Sequence, residues 1–391
     1  MILDKIFHLM AEKHASDVYI SPGVPIHIKI EGETVPVNQQ KMSPQAIETI
    51  VNDVMSLEQQ KTFQSTQEIN LAVGVSGLGN FRFNIFRQRS TISMVIRFIQ
   101  GNVPALDTLG LPPVLSSLVM EKRGLILIVG ATGSGKSTTI ASMLDYRNEH
   151  VTGHILTIED PIEFLFRHKK SVVNQRELGL DTATWESALK NAMRQAPDCI
   201  LIGEIRDRET MQAAISYAQT GHLCLATLHA SNSYYALNRV INFFPLDTRT
   251  SLYPDLSTSL KAIISQRLVR KPDGRRIPTV EVLLNTTYIQ ELIENGQIPQ
   301  IKEAMEKSLS PGSQTFEQDL FRLYHENVIS LKEALSSADS PTNLSWLINN
   351  SKLSQSLPTQ HAFNADLMLD FDETTDTGAS LKEFSINIDQ S

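Results

Sequence analysis

Gly130-Ala-Thr-Gly-Ser-Gly-Lys-Ser137 has the residue types and spacing to hold a row of phosphates. It is the Walker A pattern, and the apolar run Leu125-Ile-Leu-Ile-Val129 leads straight into it. A buried strand, a glycine-rich turn and a helix opening near Lys136 are the context the motif needs. Glycines permit the positive-φ turn, so the N–H groups of Gly133, Gly135 and Lys136 can face a β-phosphate while the helix N-terminus adds its positive end. Gly130, Thr132, Ser134 and Thr138 complete the cradle. Lys136 is placed to reach the β- and γ-phosphates, and the Ser137 hydroxyl to ligate Mg²⁺. The pattern implies a bound nucleoside triphosphate.

Binding phosphate does not break it. Hydrolysis needs a carboxylate to orient water, a metal partner and positive charge for the transition state. Three segments just past expected strand ends offer such groups. Thr157-Ile-Glu-Asp-Pro-Ile-Glu163 supplies Glu159, Asp160 and Glu163. Ile200-Leu-Ile-Gly-Glu204 has the apolar strand of a Walker B motif, with glycine where the Mg²⁺ aspartate usually stands, leaving Glu204. Gly221-His-Leu-Cys-Leu-Ala-Thr-Leu-His229 brackets a strand with His222 and His229.

The elements that must carry these groups follow from hydrophobic patterning. Ile2, Leu3, Ile6, Phe7 and Met10 predict an opening amphipathic helix. Short β-like runs follow at Asp17–Ile20, Pro25–Ile30, Ile69–Val73 and Asn80–Phe86, with a hairpin across Gly74 to Gly79. A helix after Ser43-Pro44 carries Ile47, Ile50, Val51 and Val54. Residues 1–100 therefore read as a small α+β domain, and 101–113, with three prolines and two glycines, as a linker. Strands and helices then alternate: Leu125–Val129, Ile155–Ile158, a helix over Thr184–Ala196, Cys199–Ile202, a helix over Arg208–Gln219, and Leu223–Leu228. This is an α/β nucleotide-binding core over 114–344. Helices at about Asp247–Arg267, Tyr288–Asn295, Pro299–Ser308 and Phe316–Asn327 make a helical C-terminal portion.

At 391 residues, with 41% hydrophobic content, the chain can fill the cores of two domains. A net charge of −8 argues against nucleic acid as a partner. No apolar run approaches a membrane span, and Asp4, Lys5, Glu12 and Lys13 interrupt any secretion signal. The two cysteines, Cys199 and Cys224, sit in apolar stretches and read as core thiols in a reducing compartment. Residues 345–391 are expected to form an acidic, disordered tail. Its apolar Phe363, Leu367, Met368, Leu369 and Phe371 are either a docking peptide or part of a solubilising segment.

Taken together, the Walker A loop, the box Ile158-Glu-Asp-Pro-Ile-Glu-Phe164, the atypical Walker B Ile202-Gly-Glu-Ile-Arg-Asp207 and the histidine box Thr220 to Asn232 resemble the secretion-type ATPases. Within them the chain resembles the type IV pilus retraction (twitching motility) ATPases of the PilT/PilU family, over roughly Ile2 to Leu344. The resemblance implies a RecA-like P-loop ATPase core, an N-terminal PAS-like domain and a homo-hexamer using ATP and Mg²⁺. It implies a cytoplasmic protein at the inner-membrane pilus base, not inserted in the membrane, whose partners are the pilus platform protein and a paralogous retraction ATPase. By the same resemblance Glu163 is the general base, Glu204 holds Mg²⁺ through water or supports the base, and His222 and His229 sense the γ-phosphate. Arg82 and Arg97 become candidate fingers acting on a neighbouring subunit's nucleotide. On pattern alone they are equally the solvent-facing polar positions of a strand, while His222 has a backbone-bonded reading and His229 a structural one beside the functional role.

One departure stands out. Where the main retraction motors carry Ala-Ile-Arg-Asn-Leu-Ile-Arg-Glu, this chain has Thr287-Tyr-Ile-Gln-Glu-Leu-Ile-Glu294, keeping the apolar spacing and losing both arginines. That and the C-terminal extension resemble the accessory PilU branch more than PilT. A regulatory ring that uses ATP to hold a shape, and a pilus assembly or type II secretion ATPase, are the alternatives.

Overall fold

A computed structural model describes residues 2–30, 32–99, 102–307 and 310–354. Of the expected tail, 345–354 belong to a helix, Pro341–Ser354, and 355–391, with the apolar Phe363 to Phe371, lie outside the described residues, as does Gly101. Residues 1–347 form one compact unit.

The opening periodicity becomes α1 (Ile2–Glu12). It is followed by β1 (Asp17–Ile20), β2 (His27–Ile30), β3 (Glu33–Pro36), α2 (Pro44–Val54), α3 (Leu57–Thr66), β4 (Glu68–Val75), β5 (Gly79–Gln88) and β6 (Thr91–Ile99). The six strands make one antiparallel sheet in the order β3-β2-β1-β6-β5-β4. Alternation along β5 buries Phe81, Phe83 and Ile85 against α1 and turns Arg82 and Asn84 to the other face. Register places Arg82 opposite Arg97, and Arg97 opposite Asp17 on its other side.

The second half begins with a 3-10 turn, Leu106–Leu109, and α4 (Val114–Val119). Then come β7 (Gly124–Val129), α5 (Lys136–His150), β8 (Gly153–Glu159), β9 (Ser171–Glu177), α6 (Trp185–Ala192), β10 (Cys199–Ile202), α7 (Arg208–Gln219), β11 (Leu223–Leu228), α8 (Ser233–Asn242) and α9 (Arg249–Ser259). The hairpin β12 (Leu260–Arg270) and β13 (Arg276–Leu284) precedes five helices: α10 (Thr287–Glu294), α11 (Ile301–Glu306), α12 (Phe316–His325), α13 (Leu331–Ser337) and α14 (Pro341–Ser354). The sheet order is β13-β12-β7-β11-β10-β8-β9, parallel except for β12 against β13. Every residue of β7, β10 and β11 is buried, as strands covered by helices on both faces require. The expected α/β architecture with a helical C-terminal portion is the one observed.

The helix expected from Asp247 to Arg267 is corrected. α9 ends at Ser259, and Leu260 onward becomes β12, paired with β7 on one side and β13 on the other. Short apolar runs such as Ala262–Ile264, separated by polar residues, cannot be told from a helix by periodicity alone. Here the open edge of β7 decides the outcome. The helix expected over Thr184–Ala196 breaks after Ala192 into a 3-10 turn, and that over Pro299–Ser308 shortens to α11 behind another.

Candidate active site

Because β7, β8, β10 and β11 are parallel and in register, their C-terminal ends meet at one edge of the sheet, the usual ligand edge of an open α/β fold. A cleft of about 490 Å³ opens there. It is lined by the loop Thr132 to Thr138, by Glu159, Asp160 and Glu163, by Gly203 and Glu204, and by His229.

The phosphate loop is shaped by its neighbours. A Cβ on Gly130 would sit 2.5 Å from both Gln266 O and Ser134 Oγ, so only glycine fits. Gly133 adopts φ +77° with open space beyond it, leaving its backbone accessible from the cleft. Ser134 Oγ is buried and without a hydrogen-bond partner. An orphaned hydroxyl beside an open glycine turn at a helix start fits a phosphate. Lys136 Nζ donates to Gly130 O and Ala131 O, each at 2.9 Å. Burial lowers its ammonium from the ordinary value, with Glu204 and Glu163 acting against that. Thr139 Oγ1, one turn on, donates to Gln266 Oε1 at 2.7 Å and ties α5 to β12.

The carboxylates occupy the opposite wall. Glu159, at the end of β8, accepts from Thr157 Oγ1 at 2.6 Å and Gln175 Nε2 at 3.2 Å, and burial pushes its carboxyl up to about 7. Glu204 accepts from Arg206 Nε at 2.9 Å and lies 3.3 Å from His229 Nε2; Arg206 also reaches Asp160 at 3.3 Å. Burial holds the His229 imidazole below its ordinary value, and the Lys136 charge adds to this. The glycine in the Walker B position now has a physical reason. A Cβ on Gly203 would sit 3.0 Å from Glu159 Cα and 3.1 Å from Ile158 O, so the backbone of β8 crowds the place an aspartate would take and would have to give by a few tenths of an ångström.

Thus Lys136, Ser137, Glu163, Glu204 and His229 face one cleft. His222 does not. It stands before β11, at the other end of that strand, roughly 20 Å away at the rise of an extended chain, and its Nδ1 is 3.1 Å from Thr220 Oγ1. Arg82 and Arg97 are not among the cleft residues. Arg82 Nη1 is 3.4 Å from Glu177, and Arg97 Nε donates to Asp17 at 2.8 Å.

Several residues of the site were missed by sequence reasoning. Gln175 and Glu177 lie on β9, a strand that was not expected. Leu268 and Arg276 line both the main cleft and an adjoining recess of about 380 Å³, completed by Leu109, Leu111 and Ile277. This recess, apolar with cationic rims, suits a flat nucleobase. Its hairpin was hidden by the mistaken helix.

These observations define a P-loop ATPase fold with a composite acidic wall, and the chain belongs to the Type II/IV secretion system protein family, matching it over residues 1–313. It is 47% identical over 349 residues to the type IV pilus ATPase PilU of Pseudomonas aeruginosa, covering 89% of this chain and 91% of that protein. It is 37% identical to the type IV pilus retraction ATPase PilT of the same organism, covering 88% of this chain and 100% of that protein. A crystal structure of the pilus retraction motor PilT with bound ADP superposes with a TM-score of 0.82 at 38% identity, over 88% of this chain and 98% of that one. The resemblance read from the motifs is borne out.

Proposed function

We propose that this protein is an ATP-hydrolysing motor of type IV pilus retraction, working as a homo-hexamer and accessory to a main retraction ATPase. The observation that carries this reading is the convergence of Lys136, Ser137, Glu163 and Glu204 on one cleft of a chain so similar to PilU and PilT. The phosphate loop and Lys136 bind the phosphates. Ser137, with Glu204 through water, would hold Mg²⁺, which would supply positive charge to the transferring phosphate. Among the described residues no cluster of three or more acidic, histidine or cysteine side chains forms a metal site. Glu163 takes the proton of the attacking water, and His229, through Glu204, registers the γ-phosphate.

Among the described residues no helix is long and apolar enough to cross a membrane. In this reading the ring works in the cytoplasm, held at the inner-membrane pilus base by the platform protein and a paralogous ATPase. Of the two arginines, Arg97 is the better placed to act on a neighbouring subunit, its side chain being 63% exposed. One observation favours a regulatory ring as the second reading. Helix α10 carries Gln290 and an outward Glu294 where the retraction motors carry arginines, while Ile289, Leu292 and Ile293 keep its packing.

Phosphate release from the purified full-length protein separates the two. The motor reading expects turnover that Lys136→Ala abolishes. It expects Glu163→Gln to slow turnover by about 10²–10⁴-fold, the usual worth of a general base. An inactive parent protein overturns it.

A further inference from the structure

The loop that carries Glu163 is held from one side by β9, whose alternate residues Gln175 and Glu177 face it. Gln175 accepts from Phe166 N at 2.9 Å and donates to Phe164 O at 2.8 Å. Glu177 Oε2 accepts the N–H of Ile162 at 3.1 Å, one residue before Glu163. Glu177 is itself fixed: its N–H is accepted by Asp181 Oδ2 at 2.8 Å, and it pairs across the sheet with Glu159.

Its second oxygen belongs to a different contact. Oε1 is buried and accepts no hydrogen bond. Arg82 Nη1, from β5 of the N-terminal sheet, stands 3.4 Å from it, with the two side chains 19% and 5% exposed. This is charge pairing without a hydrogen bond. A carboxylate so enclosed is costly to leave if its cation withdraws, the more so beside Glu159.

We propose that Glu177 is a positioning residue that couples the N-terminal domain to hydrolysis, fixing the loop of Glu163 through Ile162 while taking Arg82 of the same chain as its charge partner. The proposal rests on Glu163 as the base. When the N-terminal domain sits against β9, Arg82 neutralises Glu177 and the loop is held. When it turns away, the uncompensated carboxylate loosens the loop, so turnover belongs to one orientation of the domain. Arg82 then acts in cis, in contrast to a finger reaching a neighbour's nucleotide.

A double-mutant cycle on the full-length protein tests this, reading kcat, KM and the affinity for a fluorescent ATP analogue. Arg82→Ala alone is expected to lower kcat about 5–10-fold with affinity within about 2-fold. Glu177→Gln keeps an acceptor for Ile162 and loses the charge; it should lower kcat by a similar factor, and Glu177→Ala by about 10-fold more. In the Glu177→Gln background, adding Arg82→Ala should cost less than about 2-fold further. Losses that multiply in full overturn the proposal and return Arg82 to an independent role such as a trans finger.

Amide exchange gives a second measurement that does not depend on the Glu177 variants folding. Exchange in a peptide spanning 160–166 should quicken in Arg82→Ala, and unchanged exchange overturns the coupling. Full turnover in Glu163→Gln removes the base assignment alone. Multiplying losses beside an inactive Glu163→Gln remove the Glu177 proposal alone.

Discussion

Nε2 of His229 lies 3.3 Å from Oε1 of Glu204, joining the ends of β11 and β10 across the floor of the cleft. The same carboxylate takes Arg206 Nε at 2.9 Å, and Arg206 reaches on to Asp160 in the acidic loop. These contacts connect three strand ends and orient Glu204, the carboxylate proposed for the metal.

That assignment separates the two partners experimentally. Glu204→Gln keeps the hydrogen bonds to its neighbours in outline and removes the charge that attracts a hydrated cation. It should raise the Mg²⁺ concentration for half-maximal turnover about 10-fold, the scale of an outer-shell metal contact. His229→Gln should lower kcat while leaving the Mg²⁺ requirement nearly unchanged. A Mg²⁺ titration of ATP hydrolysis distinguishes them, and an unaltered titration curve for Glu204→Gln removes the metal role.

Arg97 lies beside Arg82 in register, yet its surroundings differ. It is held by a buried carboxylate, Asp17, while most of its side chain is exposed. A residue serving only the fold would, on loss, lower stability and turnover together. As a trans finger it would contribute to the transition state alone, so Arg97→Ala should lower kcat by about 10³-fold or more with nucleotide affinity nearly intact. Adding this variant to an excess of Lys136→Ala protein gives a further check. Mixed rings then join its intact phosphate loop to a neighbour's Arg97 and should regain turnover; continued silence argues against action in trans.

The parts of this site legible in the sequence are those whose local pattern needs no tertiary partner. The phosphate loop announces itself because glycines and a following Lys-Ser have few other uses, and β7, β10 and β11 because strands covered on both faces are unbroken apolar runs. Gly203 in the Walker B position was legible as an anomaly, but its cause, the backbone of Glu159 against it, exists only once β8 and β10 pair. Strand β9 was not legible. Its Asn174, Gln175, Arg176 and Glu177 look like a polar loop, because their partners are remote or local backbone groups: Gln175 and Glu177 hold residues 162–166, Asn174 meets His154 and Arg176 meets Asp181. Alternation of Ser171, Val173 and Gln175 was the one available signal. Strand β12 was lost for a different reason: its short apolar runs Ala262–Ile264 and Leu268–Val269, broken by Ser265 to Arg267, continue the spacing of α9 and fit helix and strand alike until β7 offers an edge.

Restoring the common Walker B aspartate should not improve this enzyme. In Gly203→Asp the new Cβ meets main-chain atoms of Ile158 and Glu159, which a rotamer change cannot relieve. Overpacking of this kind costs about 1–3 kcal/mol, so the melting temperature should fall by several degrees. Turnover should drop as Glu159 and the acidic loop shift. A variant that melts like the parent and hydrolyses ATP faster contradicts this account of the glycine.

Glu159 gives the clearest dependence on pH. Its carboxyl is raised from about 4.5 to about 7, chiefly by burial, which outweighs the hydrogen bonds from Thr157 and Gln175. Below pH 4.5 both folded and unfolded chains hold this proton. As pH rises toward 7 the unfolded chain releases it first, so the group's contribution to stability declines across that window and levels off above it. The full span corresponds to about 3 kcal/mol as an upper figure. Glu159→Gln, which keeps the size and cannot ionise, should therefore melt higher than the parent at pH 8 and lose the advantage near pH 5, where the parent's own carboxyl is protonated. Melting curves of the two proteins at both pH values decide it. An equal difference at both would mean that the side chain is ionised throughout, and that near pH 5 the wall facing Lys136 carries one more negative charge than a carboxyl raised to about 7 would give it.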